Sequence, residues 1–283
     1  MGLGPYLKVR ASIVFVVCFC LLSSIETKAQ DASSASLPSA PTAQPAATNP
    51  DDLPLQLQPH SSPTVANSPR HLTTDLTHVV VSPVYIRKSD LVWLAPLTGA
   101  TITAALTDTH TMRDVVSHNP GFNDTAINVS NGLLGSFIAA PVGMFLGGNL
   151  VHNDHMRETG ILGGQAMIEA YVVDEITKLC TFRERPFVDN AEGDFYIGKA
   201  GVNSSFVSGH SMLAWSSAAV VAGEYHSKWV AAAAYTGAAG VSASRVLGQE
   251  HFPTDVLIGA AGGWLIGHFV YRAHHHADIE AYQ

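Results

Sequence analysis

The chain has 283 residues, a formal net charge of −8, 47% hydrophobic residues and only 13% charged ones. An acidic chain of this kind is a poor general binder of nucleic acid or of anionic lipid surfaces, whose phosphates call for surplus cations. Any anionic small-molecule ligand must be drawn by a local cluster of basic residues.

In chain order, residues 1–29 carry a basic start (Lys8, Arg10), an apolar run from Ala11 to Ser24 and a small-residue Thr27-Lys28-Ala29 site. That pattern predicts a secretory signal peptide, with an uncleaved membrane anchor as the alternative. Two of the three cysteines, Cys18 and Cys20, lie inside it. Cleavage would leave Cys180 alone, so export implies no disulfide framework here. The apolar neighbours of Cys180 predict a core position. Residues 30–71 hold more than half of the 15 prolines among Ala, Ser, Thr and Gln. Such a segment buries too little apolar surface to offset its ordering entropy and is expected to be a disordered linker.

Residues 72–283 are expected to form one helical domain. The stretch "LTHVVVSPVYIRKSD" suits one short extended segment. Apolar runs then predict helices near Leu91–Thr107, Asn128–Leu150, Gly160–Thr181, Ser211–Tyr225, Lys228–Leu247 and Thr254–Ala273. Few runs alternate with period two, so the expected fold class is all-α, a compact bundle of about six helices. A membrane span needs about twenty mainly apolar residues. The third helix carries Glu169, Asp174, Glu175 and Lys178, and the segments after Trp229 and Val256 are short of that length. Residues 129–151 are long enough but hold several glycines, two asparagines and a proline. A soluble or peripherally attached exported domain is expected.

Three places combine polar residues with special backbone. In "KLCTFRERPF", Lys178 and Arg185 are seven apart, two helical turns, and Pro186 ends the helix near Arg185. Taken alone, they equally suit a helix C-terminus carrying solvated cations. In "NSSFVSGHSMLAW", Ser208-Gly209-His210 precedes an apolar helix, and N–H groups at a helix start bind anions. An ordinary helix start with a surface histidine reads as well. In "SRVLGQEHFPTDV", Arg245 closes one helix, His251 lies before the next, and Thr254 suits its N-cap. Asp255, four residues on, is placed to accept from one imidazole nitrogen and leave the other with its lone pair.

Together these motifs run Lys-x6-Arg-Pro, Ser-Gly-His, Ser-Arg-x5-His-x3-Asp. Over about Gly160 to Tyr271 the chain resembles the type 2 phosphatidic acid phosphatase/vanadium haloperoxidase superfamily, which includes bacterial non-specific acid phosphatases. Two positions depart from its pattern: Val207 stands where proline is usual, and Gln249-Glu250 where Gly-Val is common. The resemblance implies a phosphate site between helix ends. It implies His251 as nucleophile, Asp255 as its orienting carboxylate and His210 as acid and base. Lys178, Arg185 and Arg245 would grip phosphoryl oxygens together with Ser208 and the Gly209 N–H.

The activity so implied is metal-independent hydrolysis of a phosphomonoester through a phosphohistidine. No cofactor is expected, and vanadate would inhibit as a phosphate mimic. The alternatives are a vanadate-dependent haloperoxidase, with vanadate as cofactor, and a non-catalytic phosphate- or phospholipid-binding protein. Expected partners are a phosphorylated small molecule or a lipid phosphate, with possible membrane-surface association and no nucleic acid. The expected location is exported, periplasmic or extracytoplasmic. "HNDH" at residues 152–155 and the histidines at 274–276 have metal-ligand types, but neither makes a closed set.

Overall fold

Asn119 and Pro120 begin the longest helix. The Asn119 side chain accepts from the Phe122 N–H at 3.2 Å, and proline at the first helical position needs no partner for a missing N–H. This is α2, Pro120–Val151, in a computed structural model that describes residues 91–196 and 203–274. Before it runs α1, Leu91–His110, which widens into a π-helical turn at Thr111–Val115. After it come α3 (Asp154–Thr181), α4 (Gly209–Glu224), α5 (Lys228–Leu247) and α6 (Pro253–His274). Among the described residues there are six α-helices and no strand, the all-α class expected. The signal segment, the linker and the stretch "LTHVVVSPVYIRKSD", expected to hold a short extended segment, lie outside the described residues.

Helix α4 is the centre of the bundle. It packs on α6, α3 and α5, while α2 lies against α3 and α5. The main core joins Leu162, Ala166 and Ala170 of α3 to Met212 and Val220 of α4 and to Ile266 and Val270 of α6. Phe206 and Val207 plug the same core from the loop before α4. Val207, one of the two departures from the superfamily pattern, is therefore a packing residue, 2% exposed. A second cluster sets Ala214 and Ala218 of α4 against Ala238 and Val241 of α5, under Leu133, Leu134 and Phe137 of α2.

Alanine-rich faces bury little area each, so closeness of approach matters. Along α6, Gly263 and Gly267 lie one turn apart. A Cβ on either would stand 2.1 Å from a carbonyl oxygen, of Met212 and Ser216 respectively. The two backbones meet without side chains between them, and this contact fixes how far α6 can slide along α4.

Two expectations need correction. Cys180 is exposed. It shares the outward face of α3 with Ile176, itself 55% exposed, so its apolar neighbours in sequence are not its neighbours in the core. Second, both α2 and α6 are long and apolar enough to cross a membrane by length and composition. The charge-free count after Val256 undervalued α6 because the helix begins earlier, at Pro253. Helix α2 leaves Phe122, Val129, Ile138, Val142 and Leu146 exposed.

Candidate active site

The site forms where α3 ends, α4 begins, α5 ends and α6 begins. Chain reversal between α5 and α6 is tight: Gln249 takes a left-handed φ of 56°, and its N–H closes on the Val246 carbonyl at 2.9 Å. His251 follows, 2% exposed. Its Nδ1 lies 2.7 Å from the carbonyl oxygen of Ser205. A carbonyl only accepts, so Nδ1 carries a proton, and in the neutral ring Nε2 is the nitrogen with the lone pair. Burial lowers the His251 pKa below the ordinary value; the Asp255 charge opposes this, and Arg185 and Arg245 add to it. His251 is accordingly a neutral imidazole.

Asp255 was expected to accept from His251 directly. Its Oδ2 is instead 3.8 Å from Nδ1, beyond hydrogen-bond range. The carboxylate is already engaged. Oδ2 accepts from the Ser205 hydroxyl at 2.5 Å and from the Phe252 N–H at 2.9 Å, while Oδ1 accepts from Arg183. Reaching back to Phe252 is the N-terminal cap of α6, the role expected of Thr254. Thr254 instead donates from its hydroxyl to Asp108 Oδ2 at 2.6 Å. Burial alone would raise the Asp255 pKa, but the Arg183 charge and the Ser205 hydrogen bond bring it below the usual carboxylate range.

Arg183 and Asp108 were not singled out in the sequence. Arg183 is 5% exposed, with Asp255 on one side and Asp108 Oδ2 at 2.8 Å on the other. Its guanidinium lies over the rings of Phe252 and Phe195, at 4.0 and 4.8 Å from their centroids. The signal was the first arginine of "FRERP", hidden because only Arg185 sits two helical turns from Lys178.

Lys178, on the last turn of α3, gives its ammonium to Asp174 Oδ2 at 2.6 Å and approaches Glu175 at 3.5 Å. Burial first, then Glu175, raises the Asp174 pKa to about 6, against the pull of Lys178. Arg185 Nη1 and Arg245 Nη2 both donate to the same oxygen, Glu250 Oε2, the second at 3.1 Å. Arg245 also donates from Nη1 to the Ser130 hydroxyl at 3.2 Å. Its Nε is buried with no partner among the described residues. Burial lowers the Arg245 pKa to about 10, while Glu250 opposes the shift.

Ser208 stands at the N-cap of α4 with its own N–H on the Asp255 carbonyl at 3.1 Å, which ties the α4 start to the first turn of α6. Gly209 is the first residue of α4, and a Cβ there would meet Asp174 Oδ2 at 2.4 Å. Only glycine lets the α4 start pass this close to the acid of α3. His210 Nε2 donates to Asn131 Oδ1 of α2 at 3.0 Å, a partner not foreseen from sequence. Burial first, then the charges of Arg245, Lys178 and Arg185, push its pKa down to about 3. The Asp174 carboxylate that holds Lys178 lies beside Gly209, and Glu250 joins Arg185 to Arg245.

Of the other histidines, His155 pairs with Glu224 at 3.1 Å at the opposite end of the bundle. His275 and His276 lie outside the described residues. Among the described residues no group of three or more His, Cys, Asp or Glu is placed to hold a metal ion.

No curated protein and no solved structure matches the chain. The family model described as the PAP2 superfamily matches residues 161–278, a span that contains all eight motif residues. It is the superfamily their spacing resembles, and its chemistry is phosphatase-type in general. Over those residues the chain is similar to the PAP2 superfamily, the family that its motif residues resemble.

Proposed function

We propose that the chain is a metal-independent phosphatase that hydrolyses phosphomonoesters, a lipid phosphate or a soluble ester, through a phosphohistidine. The observation that carries this reading is the hydrogen bond from His251 Nδ1 to the Ser205 carbonyl. It fixes a proton on Nδ1, so that in the neutral imidazole that burial favours Nε2 holds the lone pair, among residues suited to hold a phosphoryl group.

In the first half-reaction Nε2 of His251 attacks phosphorus, and the bond to the alkoxide oxygen breaks. His210 gives its proton to that oxygen. In the second half-reaction water attacks the phosphohistidine, His210 takes the water proton, and the phosphorus–Nε2 bond breaks. Imidazolium forms on His251 during transfer, and the Asp255 charge favours it through space and through Ser205. Lys178, Arg185 and Arg245 supply the positive charge that a metal would otherwise supply to the phosphoryl oxygens.

His210 must hold a proton to act first as an acid, yet burial, with the surrounding cations adding to it, holds its pKa near 3. A phosphoryl dianion reverses that field. Substrate binding therefore raises the proton affinity of His210, and the acid is loaded only when there is a leaving group to protonate. The exposed apolar side chains of α2 favour a membrane-associated, lipid-phosphate version of this activity. Export, with the working domain on the extracytoplasmic side, belongs to the same proposal.

The test is rapid alkaline quench of the protein with a labelled phosphomonoester in the presence of EDTA. The expected product is protein-bound phosphate that is acid-labile and alkali-stable, lost in His251→Ala. Turnover that EDTA abolishes, or label that persists in His251→Ala, would reject the mechanism.

A further inference from the structure

Each cation expected to hold phosphate already faces a carboxylate. For Lys178 the partners come from its own helix, one turn away. The arginines differ. Arg185 follows the end of α3 and Arg245 lies on α5, and Glu250, in the turn before His251, meets both with a single oxygen. One oxygen accepting from two guanidinium groups is how a phosphoryl oxygen is held when two arginines grip it. Glu250 is also where the chain departs from its superfamily's common pattern, immediately before His251. The side chain is 20% exposed and joined to the rest of the site through Oε2, so it has room to swing toward solvent. Arg245 meanwhile keeps a buried Nε donor without a partner among the described residues. That donor is unused by Glu250 and lies on the group that a second, larger acceptor would meet.

We propose that Glu250 is an internal counter-anion of the phosphate seat: a specificity-determining carboxylate that a substrate must displace from Arg185 and Arg245 in order to bind. The inference rests on the phosphatase reading of the site. A carboxylate brings one negative charge, whereas a phosphomonoester dianion brings nearly two and three oxygens. The dianion gains by the exchange. A weaker anion only replaces like with like, so Glu250 raises the threshold for occupancy.

Two roles for Glu250 predict opposite signs. If it competes with phosphate, removing its charge tightens anion binding. If it holds the arginines in position, removing it loosens binding. The experiment is calorimetric titration of wild type, Glu250→Gln and Glu250→Ala with inorganic phosphate, with folding checked by circular dichroism. Loss of a charge-assisted competitor predicts about tenfold tighter phosphate binding in both variants. KM for a phosphomonoester should fall with it, and kcat should not rise. Unchanged or weaker phosphate binding in either folded variant overturns the proposal. Arg245→Ala is titrated in parallel to test the site itself. If Arg245→Ala binds phosphate like wild type, the site assignment fails; if it loses binding while the Glu250 variants match wild type, only the counter-anion fails.

Discussion

Ser205 links His251 to Asp255: its carbonyl accepts from the imidazole Nδ1 at 2.7 Å, and its hydroxyl donates to the carboxylate at 2.5 Å. The expected direct contact is thus replaced by one residue that touches both. Ser205→Ala keeps the carbonyl and loses the hydroxyl. It is expected to lower kcat by about tenfold with little change in KM, the size of one buried hydrogen bond to a charged group. Steady-state kinetics on a phosphomonoester checks it. A change confined to KM would remove Ser205 from the support of His251.

Arg183 lies between two buried carboxylates, Asp108 and Asp255. Arg183→Ala leaves both without their main counter-charge and is expected to cost roughly 3–5 kcal/mol of stability. Urea unfolding followed by circular dichroism measures it. A loss under 1 kcal/mol would show that the pair contributes little to folding.

For His210 the sign of proton linkage is definite. With a pKa near 3 in the fold and 6.5 when exposed, the unfolded chain binds a proton between those values that the folded chain does not. This residue's contribution to stability is complete above about pH 6.5 and is lost as pH falls toward 3. His210→Gln should unfold less steeply over that window. Phosphate binding near pH 6 should also take up a proton in wild type and not in His210→Gln. Calorimetry in buffers of different ionisation enthalpy reads that uptake, and equal uptake in both proteins would assign the proton elsewhere.

Two glycine substitutions should differ in sign. At Gly267 a Cβ meets the Ser216 carbonyl at 2.1 Å, so Gly267→Ala pushes α6 from α4 and should cost about 1–3 kcal/mol. At Gly164, inside α3, a Cβ meets nothing within 4 Å, and alanine should add up to about 1 kcal/mol. Thermal melts of the two variants test the helix contact. Equal shifts would deny that backbone closeness holds α6 in place.

Helix positions were legible because long apolar runs leave little choice. Starts were less so. Helix α2 begins at Pro120 rather than Asn128, and α3 at Asp154 rather than Gly160, because Asn119 and Asn153 cap polar first turns that apolar periodicity does not detect. The eight motif residues lie where α3 ends, α4 begins, α5 ends and α6 begins. What the sequence did not show was their partners. The Ser205 acceptor is a backbone carbonyl, which no residue letter reports. Asp108 and Asn131 come from 75 and 79 positions away, a pairing set only by how α1 and α2 fold back.

The motif side chains gather at one end of the antiparallel helices. The turn from Tyr225 to Lys228, beyond the His155–Glu224 pair, sits at the other. That turn is consequently a place to open the chain, by a fused reporter, without disturbing the gathered motif residues.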